Sequence, residues 1–447
     1  MRSYLEIKMT KEELKKKKIS AISLGCDKNK VDLQHMLFWL KEYGFEITSD
    51  LDVAQIIIVN TCSFITPAKQ ESIDNILLAI SKKSDKCEKV IVTGCLPQRN
   101  LMELQDALPE VDYFVQVKDN EKIVNIIEKL YDVEISKLTN NLGRVSTFAS
   151  GFAHLKISDG CNNGCSFCAI PRIRGRYRSV DMKVLLKEAK QLCDQGFSEI
   201  ILVAQDVTRY GYDLYGEYKL VELIENLSKI KKLKWIRLHY CYPELIDDNL
   251  LDCISSNEKV CKYLDIPLQH IDDALLKSMN RRLDEAKTRE LIDKIKTKYP
   301  SITIRSTFIV GYPGETKKAF EKLCEFLKEN SLNNVGFFKY YKEENTRAYF
   351  LKKQVREFVK NYRLKKIQNI QQNIANNINS QRVGQEIDVM IDEYNQIDNV
   401  YLGHDEYNSP DVDFAIMIKT DKILCLGQIY RVKIVSYINN YLIGEIL

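Results

Sequence analysis

Three closely spaced cysteines are the residues in this sequence best suited to do chemistry. Cys161, Cys165 and Cys168 follow a C-x3-C-x2-C spacing, and thiolates at this spacing can bind three corners of one [4Fe-4S] cluster. Gly160 and Gly164 allow the tight loop that such binding needs. The fourth iron would lack a protein ligand, so this corner would be open to a substrate.

Two other kinds of metal site fit the loop less well. A structural zinc site needs four ligands, and the nearest further candidates, His154 and Cys193, do not lie at a zinc-finger spacing. A bacterial ferredoxin cluster uses C-x2-C-x2-C with a later Cys-Pro, which is absent here. Unreactive buried cysteines would have this spacing only by coincidence.

A second set of cysteines shares one position in the predicted topology. Cys26, Cys62 and Cys95 each follow the end of a predicted strand, and parallel strands end at the same edge of an open α/β sheet. We therefore expect the three thiols to converge, with glycines before Cys26 and Cys95 that let the backbone approach a bulky ligand. Cysteine also occurs at strand ends as a small apolar residue. This alternative stays open for any one of the three cysteines considered by itself.

The elements that would position these cysteines alternate between strands and helices. A helix is predicted after the first strand, because apolar residues recur at the i, i+3, i+4 and i+7 positions from Leu33. Such alternation indicates a parallel sheet. The three predicted strands before the second set of cysteines are 19–24, 56–59 and 90–93.

The rest of the chain predicts two further folds. Six strands with helices between them lie between 152 and 340, which favours an open or partial (β/α)6 barrel over a complete eight-stranded one. A long polar helix at 354–378 follows. Five short strands between 381 and 447 fit a small all-β barrel of OB-like size. The predicted class is therefore α/β with a C-terminal β-barrel.

The composition restricts the class of protein. A chain of 447 residues with 45% hydrophobic and 29% charged residues is typical of a globular protein of two or three domains. No apolar run approaches the roughly 20 residues that span a bilayer, and the N-terminus lacks the features of a secretory signal. We therefore expect a reducing, cytoplasmic location, where thirteen cysteines are metal ligands or buried thiols and not disulfides.

The three-cysteine loop, on the first strand of a six-unit βα run, resembles the radical S-adenosylmethionine superfamily. The resemblance implies that S-adenosylmethionine binds the open iron and that one electron from the cluster cleaves it to a radical. Together with Cys26, Cys62 and Cys95 and the small C-terminal barrel, the chain resembles the methylthiotransferases from Ile19 onward. This resemblance implies a second [4Fe-4S] cluster that carries or donates sulfur. It also implies that two S-adenosylmethionine molecules are used for each product.

Three runs are similar to the RimO branch of that family, which modifies an aspartate of small-subunit ribosomal protein twelve at its β-carbon. They are SLGCDKNKVD at 23–32, YLDIPLQH at 263–270 and RSTFIVGYPGET at 305–316. Asp27 and the Leu33-Gln34 pair depart from the branch's pattern near Cys26. The related enzymes of tRNA adenosine remain an alternative, as does a non-catalytic iron-sulfur protein that binds RNA or carries electrons.

The resemblance divides the chain into parts, and the charge of the last part indicates a partner. Residues 381–447 hold five basic and eleven acidic groups, a net charge of −6, which would repel RNA phosphates and attract a basic ribosomal protein. An ordinary solvated surface is the alternative. A reducing electron donor such as flavodoxin or ferredoxin is a further expected partner. The predicted parts are 1–18 (basic tail), 19–135 (N-terminal domain with the auxiliary cluster), 136–151 (linker), 152–378 (radical S-adenosylmethionine core) and 381–447 (TRAM-type barrel).

Several further polar residues carry weaker predictions. Gln205 and Asp206 follow the second strand of the (β/α)6 run and either bind S-adenosylmethionine or cap the next helix. Gly311, with Gly314, either lets the backbone approach adenine or forms a simple turn. His270 either touches the substrate or is a satisfied core histidine. The basic run Arg172, Arg174, Arg176 and Arg178 either steers an acidic group or electron donor or is a solvated face.

Overall fold

The computed structural model describes residues 9–137, 141–145 and 151–447. Its contacts divide the chain into a first unit, Met1–Thr147 with Ala169–Gly175, and a second unit, Phe148–Cys168 with Arg176–Leu447. The predicted linker, 136–151, lies partly outside the described residues, and the predicted domain boundaries stay a prediction.

The first unit is an α/β domain whose five-stranded sheet has the order β2-β1-β3-β4-β5, with every pairing parallel. This confirms the predicted parallel sheet. Its strands are β1 (Lys18–Ser23), β2 (Glu46–Ile47), β3 (Ile56–Thr61), β4 (Lys89–Gly94) and β5 (Tyr113–Phe114). Its helices are α1 (Lys11–Lys15), α2 (Asp27–Tyr43), α3 (Thr66–Ser81), α4 (Cys95–Ala107), α5 (Ile123–Leu130) and α6 (Ile170–Ile173), with 3₁₀ turns at Lys82–Ser84 and Val117–Lys122.

Helices cover both faces of this sheet. Ile56 and Ile58 of β3 pack with α2 and α5, whereas Ile57 and Val59 pack with α3 and α4. Because both faces of β3 are buried, its first four residues, 56–59, are a continuous apolar run and do not alternate with polar residues. The predicted stripe of α2 that starts at Leu33 is buried as expected.

The lysine-rich segment near the N-terminus is folded where the structure describes it. Thr10 caps α1 in a reciprocal capping box with Glu13, which satisfies two backbone donors of the first turn. Leu14 is fully buried in the core of the first unit. From residue 9 onward, the segment predicted as a basic tail is therefore part of this domain.

The second unit contains an open six-stranded sheet with the order β13-β12-β11-β10-β9-β6, and all its pairings are parallel. This confirms the partial (β/α)6 barrel. The strands are β6 (Phe152–Lys156), β7 (Ser158–Asp159), β8 (Arg178–Ser179), β9 (Glu199–Val203), β10 (Trp235–Leu238), β11 (Val260–Gln269), β12 (Thr303–Val310) and β13 (Asn334–Lys339), of which β7 and β8 form a separate hairpin-like pair.

Helices cover one face of that sheet and bury its apolar side chains. They are α7 (Met182–Asp194), α9 (Leu220–Ser228), α10 (Asp248–Ser256), α12 (Glu285–Lys298), α13 (Lys317–Asn330) and α14 (Glu357–Arg382). Two shorter helices lie outside this packing: α8 (Tyr212–Tyr215) buries no residue, and α11 (Asp273–Ser278) packs in a separate small cluster. There are also 3₁₀ turns at Pro243–Leu245 and Arg347–Phe350. None of the helices in the described residues is long and apolar enough to cross a membrane.

The chain ends in a closed five-stranded barrel with the order β14-β15-β16-β18-β17, as predicted. Ile387, Val389 and Ile391 alternate into its interior, the period expected when one face of a strand is buried. Only β16 and β18 pair in parallel. The strands are β14 (Glu386–Asn395), β15 (Val400–His404), β16 (Ile416–Ile418), β17 (Ile429–Ile438) and β18 (Tyr441–Ile446).

The segment between β15 and β16 joins this barrel to the six-stranded sheet of the same unit. The hydroxyl of Tyr263 on β11 donates to Asp413 at 2.8 Å, and His239 Nε2 lies 2.7 Å from the hydroxyl of Ser409. His239 and Ser409 are both buried. The barrel is therefore attached to the sheet by buried polar contacts.

Candidate functional site

The loop of Cys161, Cys165 and Cys168 follows β7. Cys161 and Cys165 are buried and Cys168 is half-buried. Gly160 and Gly164 have φ of 76° and 61°, a region that favours glycine. The structure thus confirms the tight turn that the two glycines predict.

Hydrogen bonds from outside the loop hold its backbone in place. Asn280 Nδ2 donates to the carbonyls of Asn163 and Gly164 at 3.0 and 3.1 Å. The N–H of Ser166 donates to the carbonyl of Met279 at 3.0 Å, and its hydroxyl lies 2.7 Å from that of Tyr312. Contacts within the protein therefore support this loop conformation.

A cation and a phenol lie beside the sulfur of Cys165. Arg281 donates to this sulfur at 3.6 Å, and its guanidinium lies 4.5 Å from the ring centroid of Tyr242. Burial, and then the charges of the three loop cysteines, raise the pKa of Tyr242 well above its ordinary value. Burial likewise raises the pKa of the metal-free Cys161 thiol to about 11, so bound iron would be needed to stabilise the thiolates.

The two polar residues after β9 differ in whether all their side-chain atoms have hydrogen-bond partners. Asp206 is fully buried and accepts hydrogen bonds from Asn163 at 2.9 Å and from Thr208 at 2.5 Å. Gln205 Nε2 donates to Asp159 at 3.3 Å, but its buried Oε1 has no partner within the described part of the chain. Asp206 thus supports the cysteine loop, while Gln205 retains an unused acceptor. Their predicted contact with S-adenosylmethionine stays a prediction.

Gly311 and His270 have structural roles that differ from the ligand contacts considered for them. Gly311 has φ of 75°, and a Cβ there would lie 2.4 Å from Lys360 Cγ. The space above Gly311 is therefore filled by a lysine stem, and its predicted approach to adenine stays a prediction. His270 is fully buried, accepts from the N–H of Asp272 at 3.0 Å and lies 3.4 Å from Glu315. These contacts are those of a satisfied core histidine.

The second set of cysteines lies at one edge of the first unit's sheet, as the topology predicts. Cys26 precedes α2, Cys62 follows β3 and Cys95 begins α4, so they follow three adjacent strands. Cys26 is exposed, whereas Cys62 and Cys95 are buried. Burial raises the pKa of the metal-free Cys95 thiol to about 12, with Arg174 opposing the shift and both other cysteines adding to it.

The glycines before two of these cysteines lie close to the end of the neighbouring strand. Gly94 has φ of 95°, and a Cβ there would lie 2.4 Å from the carbonyl oxygen of Thr61. Gly25 has φ of 90°, and its Cβ would lie 3.0 Å from that of Cys62. Both glycines therefore make room for the neighbouring strand end, and the predicted approach of the backbone to a ligand stays a prediction.

The basic run after the first loop does not form one surface. Arg172, Arg176 and Arg178 are exposed, but Arg174 is buried and donates hydrogen bonds to Asp32 and Asn29 in the first unit. Both predictions for the run, steering and a solvated face, are wrong for Arg174 because its charge lies inside the protein. The sequence gives little indication of this pairing, because Arg174 and Asp32 are 142 residues apart.

The donor sets suit two clusters. All thirteen cysteines are free thiols. No group of three or more His, Cys, Asp or Glu side chains in residues 9–137, 141–145 and 151–447 is arranged to hold a single metal ion. A four-iron cluster places each thiolate on a different iron, so its ligands need not meet at one point. Each set has buried sulfurs and an arginine that donates to one of them, which suits an anionic cluster.

Family models match all three parts of the chain. Residues 155–327 match the radical SAM superfamily, 383–447 match the TRAM domain, and 18–116 match the uncharacterized protein family UPF0004.

Curated relatives match almost the whole chain. The ribosomal protein uS12 methylthiotransferase RimO of Clostridium botulinum (strain Eklund 17B / Type B) is 44% identical and covers 96% of this chain and 98% of its own. That of Alkaliphilus oremlandii is also 44% identical and covers 90% and 92%. The chain belongs to this family. Membership confirms the predicted radical S-adenosylmethionine methylthiotransferase class, and with it the cofactors, [4Fe-4S] clusters and S-adenosylmethionine.

Solved structures agree on the fold. A radical S-adenosylmethionine methyltransferase, TsrM of Kitasatospora setae, with cobalamin and a [4Fe-4S] cluster bound, has a TM-score of 0.53 at 12% identity and covers 72% of each chain. The cobalamin-dependent enzyme OxsB has a TM-score of 0.51 at 11% identity and covers 80% of this chain and 56% of its own.

Proposed function

We propose that this protein transfers a methylthio group to the β-carbon of an aspartate in ribosomal protein uS12. The observation that carries the proposal is 41–44% identity to uS12 methylthiotransferases over 90–97% of the chain. The RimO-like runs at 23–32, 263–270 and 305–316 support the same substrate.

Each cysteine set has its own role in this proposal. Cys161, Cys165 and Cys168 hold the cluster to which S-adenosylmethionine binds, and the set of Cys26, Cys62 and Cys95 holds the auxiliary cluster. S-adenosylmethionine and the clusters supply, when bound, a carbon radical, a methyl group and a sulfur atom. Such a radical is needed because the β-hydrogen of an aspartate is not acidic enough for an ordinary base.

The surrounding residues prepare the first loop for this role. Asp206 and Asn280 fix the loop through Asn163. Arg281 stabilises negative charge on Cys165 by its hydrogen bond to the sulfur. The unused Oε1 of Gln205 accepts a hydrogen bond from the amino or ribose group of S-adenosylmethionine. This role suits Gln205 better than Asp206, whose two oxygens are already occupied.

The C-terminal barrel supplies a surface for a basic protein. Four of its eleven acidic residues, Asp392, Asp405, Glu406 and Asp413, are not exposed, so its surface is less acidic than the composition predicts. Seven exposed acidic groups still outnumber four exposed basic ones. The exposed acids are Glu386, Asp388, Glu393, Asp398, Asp411, Asp421 and Glu445, and the exposed bases are Lys419, Lys422, Arg431 and Lys433. A basic ribosomal protein complements this surface.

Two exposed arginines after the first loop suit an acidic electron donor. Arg176 and Arg178, both in the second unit, present positive charge, which speeds the encounter with a donor such as flavodoxin or ferredoxin. The protein works in the cytoplasm, where its ribosomal substrate is found and where thiols stay reduced.

Mass spectrometry of a deletion strain tests the substrate. We expect uS12 to lose the mass of one methylthio group, and the loss to be reversed by the wild-type gene but not by one encoding Cys161→Ala. Total tRNA from the same strain should be unchanged. Loss of the modification from tRNA with uS12 unaffected would contradict the proposal and favour the tRNA-modifying relatives.

A further inference from the structure

A buried arginine lies beside one of the proposed auxiliary-cluster ligands. The guanidinium of Arg174 donates to the sulfur of Cys95 at 3.8 Å, and only 1% of its side chain is exposed. Burial of a guanidinium costs several kcal/mol unless it is paired. Here the pairing is with Asp32. This pair places a buried positive charge beside Cys95.

Two residues of α2 fix the orientation of the guanidinium. Asp32 accepts from one of its nitrogens, and Asn29, one turn earlier, accepts from the nitrogen that also reaches Cys95. Asn29 is itself held, since its Nδ2 donates to the carbonyl of Thr61 at 2.9 Å and its carbonyl accepts from Asn60 at 2.8 Å. The donor that faces the sulfur is therefore tied to the ends of the strands that carry the cysteines.

The short segment that carries Arg174 also covers Cys95 with apolar groups. Cys95, Ala169 and Ile173 form a small buried cluster within the first unit. The segment Ala169–Gly175 therefore shields Cys95 from water and provides the nearby cation. Hydrogen bonds to ligand sulfurs, net charge and solvent exposure are the features that set the reduction potential of an iron-sulfur cluster.

We infer that Arg174 is a positioning residue of the auxiliary cluster, which raises its reduction potential by placing a positive charge and a hydrogen-bond donor at Cys95. Reduction adds negative charge to the cluster, and a nearby cation stabilises the more negative state. The inference rests on the proposed function, because it requires a cluster on Cys26, Cys62 and Cys95.

The test uses the full chain with Cys161, Cys165 and Cys168 replaced by alanine, so that iron is bound only by the second set. After anaerobic reconstitution, a redox titration followed by electron paramagnetic resonance gives the midpoint potential and g-values. We expect Arg174→Gln to shift the midpoint to a more negative potential and to change the g-values. Arg174→Lys should bring the midpoint part of the way back to the parent value, since lysine keeps the positive charge but not the planar guanidinium group. The exposed neighbour variant Arg172→Gln should leave both readouts unchanged.

Arg174→Gln leaves Asp32 buried without its partner, so the double variant with Asp32→Asn removes both charges and protects the fold. An unchanged midpoint and unchanged g-values in the single or the double variant, with iron bound as in the parent, would overturn the inference. A parent chain that binds no iron would instead refute the auxiliary cluster of the proposed function. The two failures are thereby distinguished.

Discussion

The guanidinium of Arg237 lies 2.7 Å from the carboxylate of Glu199, and both side chains are fully buried. The two residues lie on the neighbouring strands β10 and β9. Both also contact the C-terminal barrel: Glu199 lies 2.5 Å from His404 at the end of β15, and Arg237 donates to the carbonyl of Asp405, the next residue, at 2.9 Å. One ion pair thus connects the sheet to the C-terminal barrel.

Loss of the Glu199 charge should be strongly destabilising. Glu199→Gln leaves Arg237 buried without its anion and His404 with Asp392 alone, and breaking a buried pair in this way costs about 3–5 kcal/mol. Urea unfolding of the full chain measures the loss. The matched control is Arg431→Gln, which removes an exposed pair with Asp388 that should contribute no more than about 1 kcal/mol. Equal effects of the two substitutions would contradict the prediction.

The same network should make stability depend on pH. Burial would lower the pKa of His404, but Asp392 and Glu199 raise it from 6.5 to about 9. A histidine whose pKa is higher in the folded than in the unfolded state adds to the free energy of unfolding. This contribution is fully present below pH 6.5 and is lost as the pH rises through about 9. The pKa of Glu199 is about 2 because Arg237 and His404 outweigh its burial, so its contribution is lost only as pH falls from 4.5 toward 2.

Thermal unfolding midpoints between pH 6 and pH 10 check this dependence. The wild-type midpoint should fall across that range more steeply than the midpoint of His404→Gln. Asp392 and Glu199 both hold the charge on His404. Parallel pH profiles of wild type and variant would refute a charged His404.

The cysteine assignments predict iron content. Cys161→Ala and Cys62→Ala should each lose roughly half of the bound iron, because each removes a ligand of one of two four-iron clusters. Iron analysis after anaerobic reconstitution gives the result. Cys193→Ala, in the apolar core, and Cys425→Ala, on the surface, serve as controls and should retain all of it. Full iron content in Cys161→Ala or Cys62→Ala would show that the replaced cysteine is not a cluster ligand.

Gln205 should contribute to the binding of S-adenosylmethionine. Gln205→Ala removes the unused acceptor and should weaken binding by about tenfold, which corresponds to about 1.4 kcal/mol for one hydrogen bond to a charged or polar group. Equilibrium binding to the reconstituted protein measures this change. Gln195→Ala, at an exposed helix end, should bind as the wild type does. Unchanged affinity in Gln205→Ala would place its Oε1 outside the cofactor site.

Charge reversal on the barrel should change the affinity for uS12. Glu393→Lys combined with Asp421→Lys should weaken binding by roughly tenfold at low salt, and the effect should shrink as salt screens the charges. The opposite pair, Lys419→Glu with Lys422→Glu, should strengthen it. Binding measured at two salt concentrations gives both values. If neither pair alters the affinity, uS12 does not dock on this surface.

The sequence predicted the elements well because their signals are local. The apolar run of β3 and the periodic stripe from Leu33 each extend over a few neighbouring residues. Convergence of Cys26, Cys62 and Cys95 could be predicted as well, since parallel strands in one sheet end at one edge.

The contacts around these elements could not be predicted, because their partners are distant in sequence. Glu199 and His404 are 205 residues apart, and nothing near either residue indicates the other. Arg174 resembled its exposed neighbours in the basic run. The only signal available was the presence of single charged residues, such as Arg237, inside otherwise apolar strands, which indicates a buried partner without identifying it.

The attachment of the C-terminal barrel to the sheet limits whether the barrel can be exchanged for that of a relative. A transplanted barrel would bring its own segment after β15, and Arg237 and Glu199 would be left facing backbone and side chains not matched to them. The TRAM domain here is therefore not an exchangeable module. A chimera should be stable only if the strand residues that meet the segment are exchanged with it.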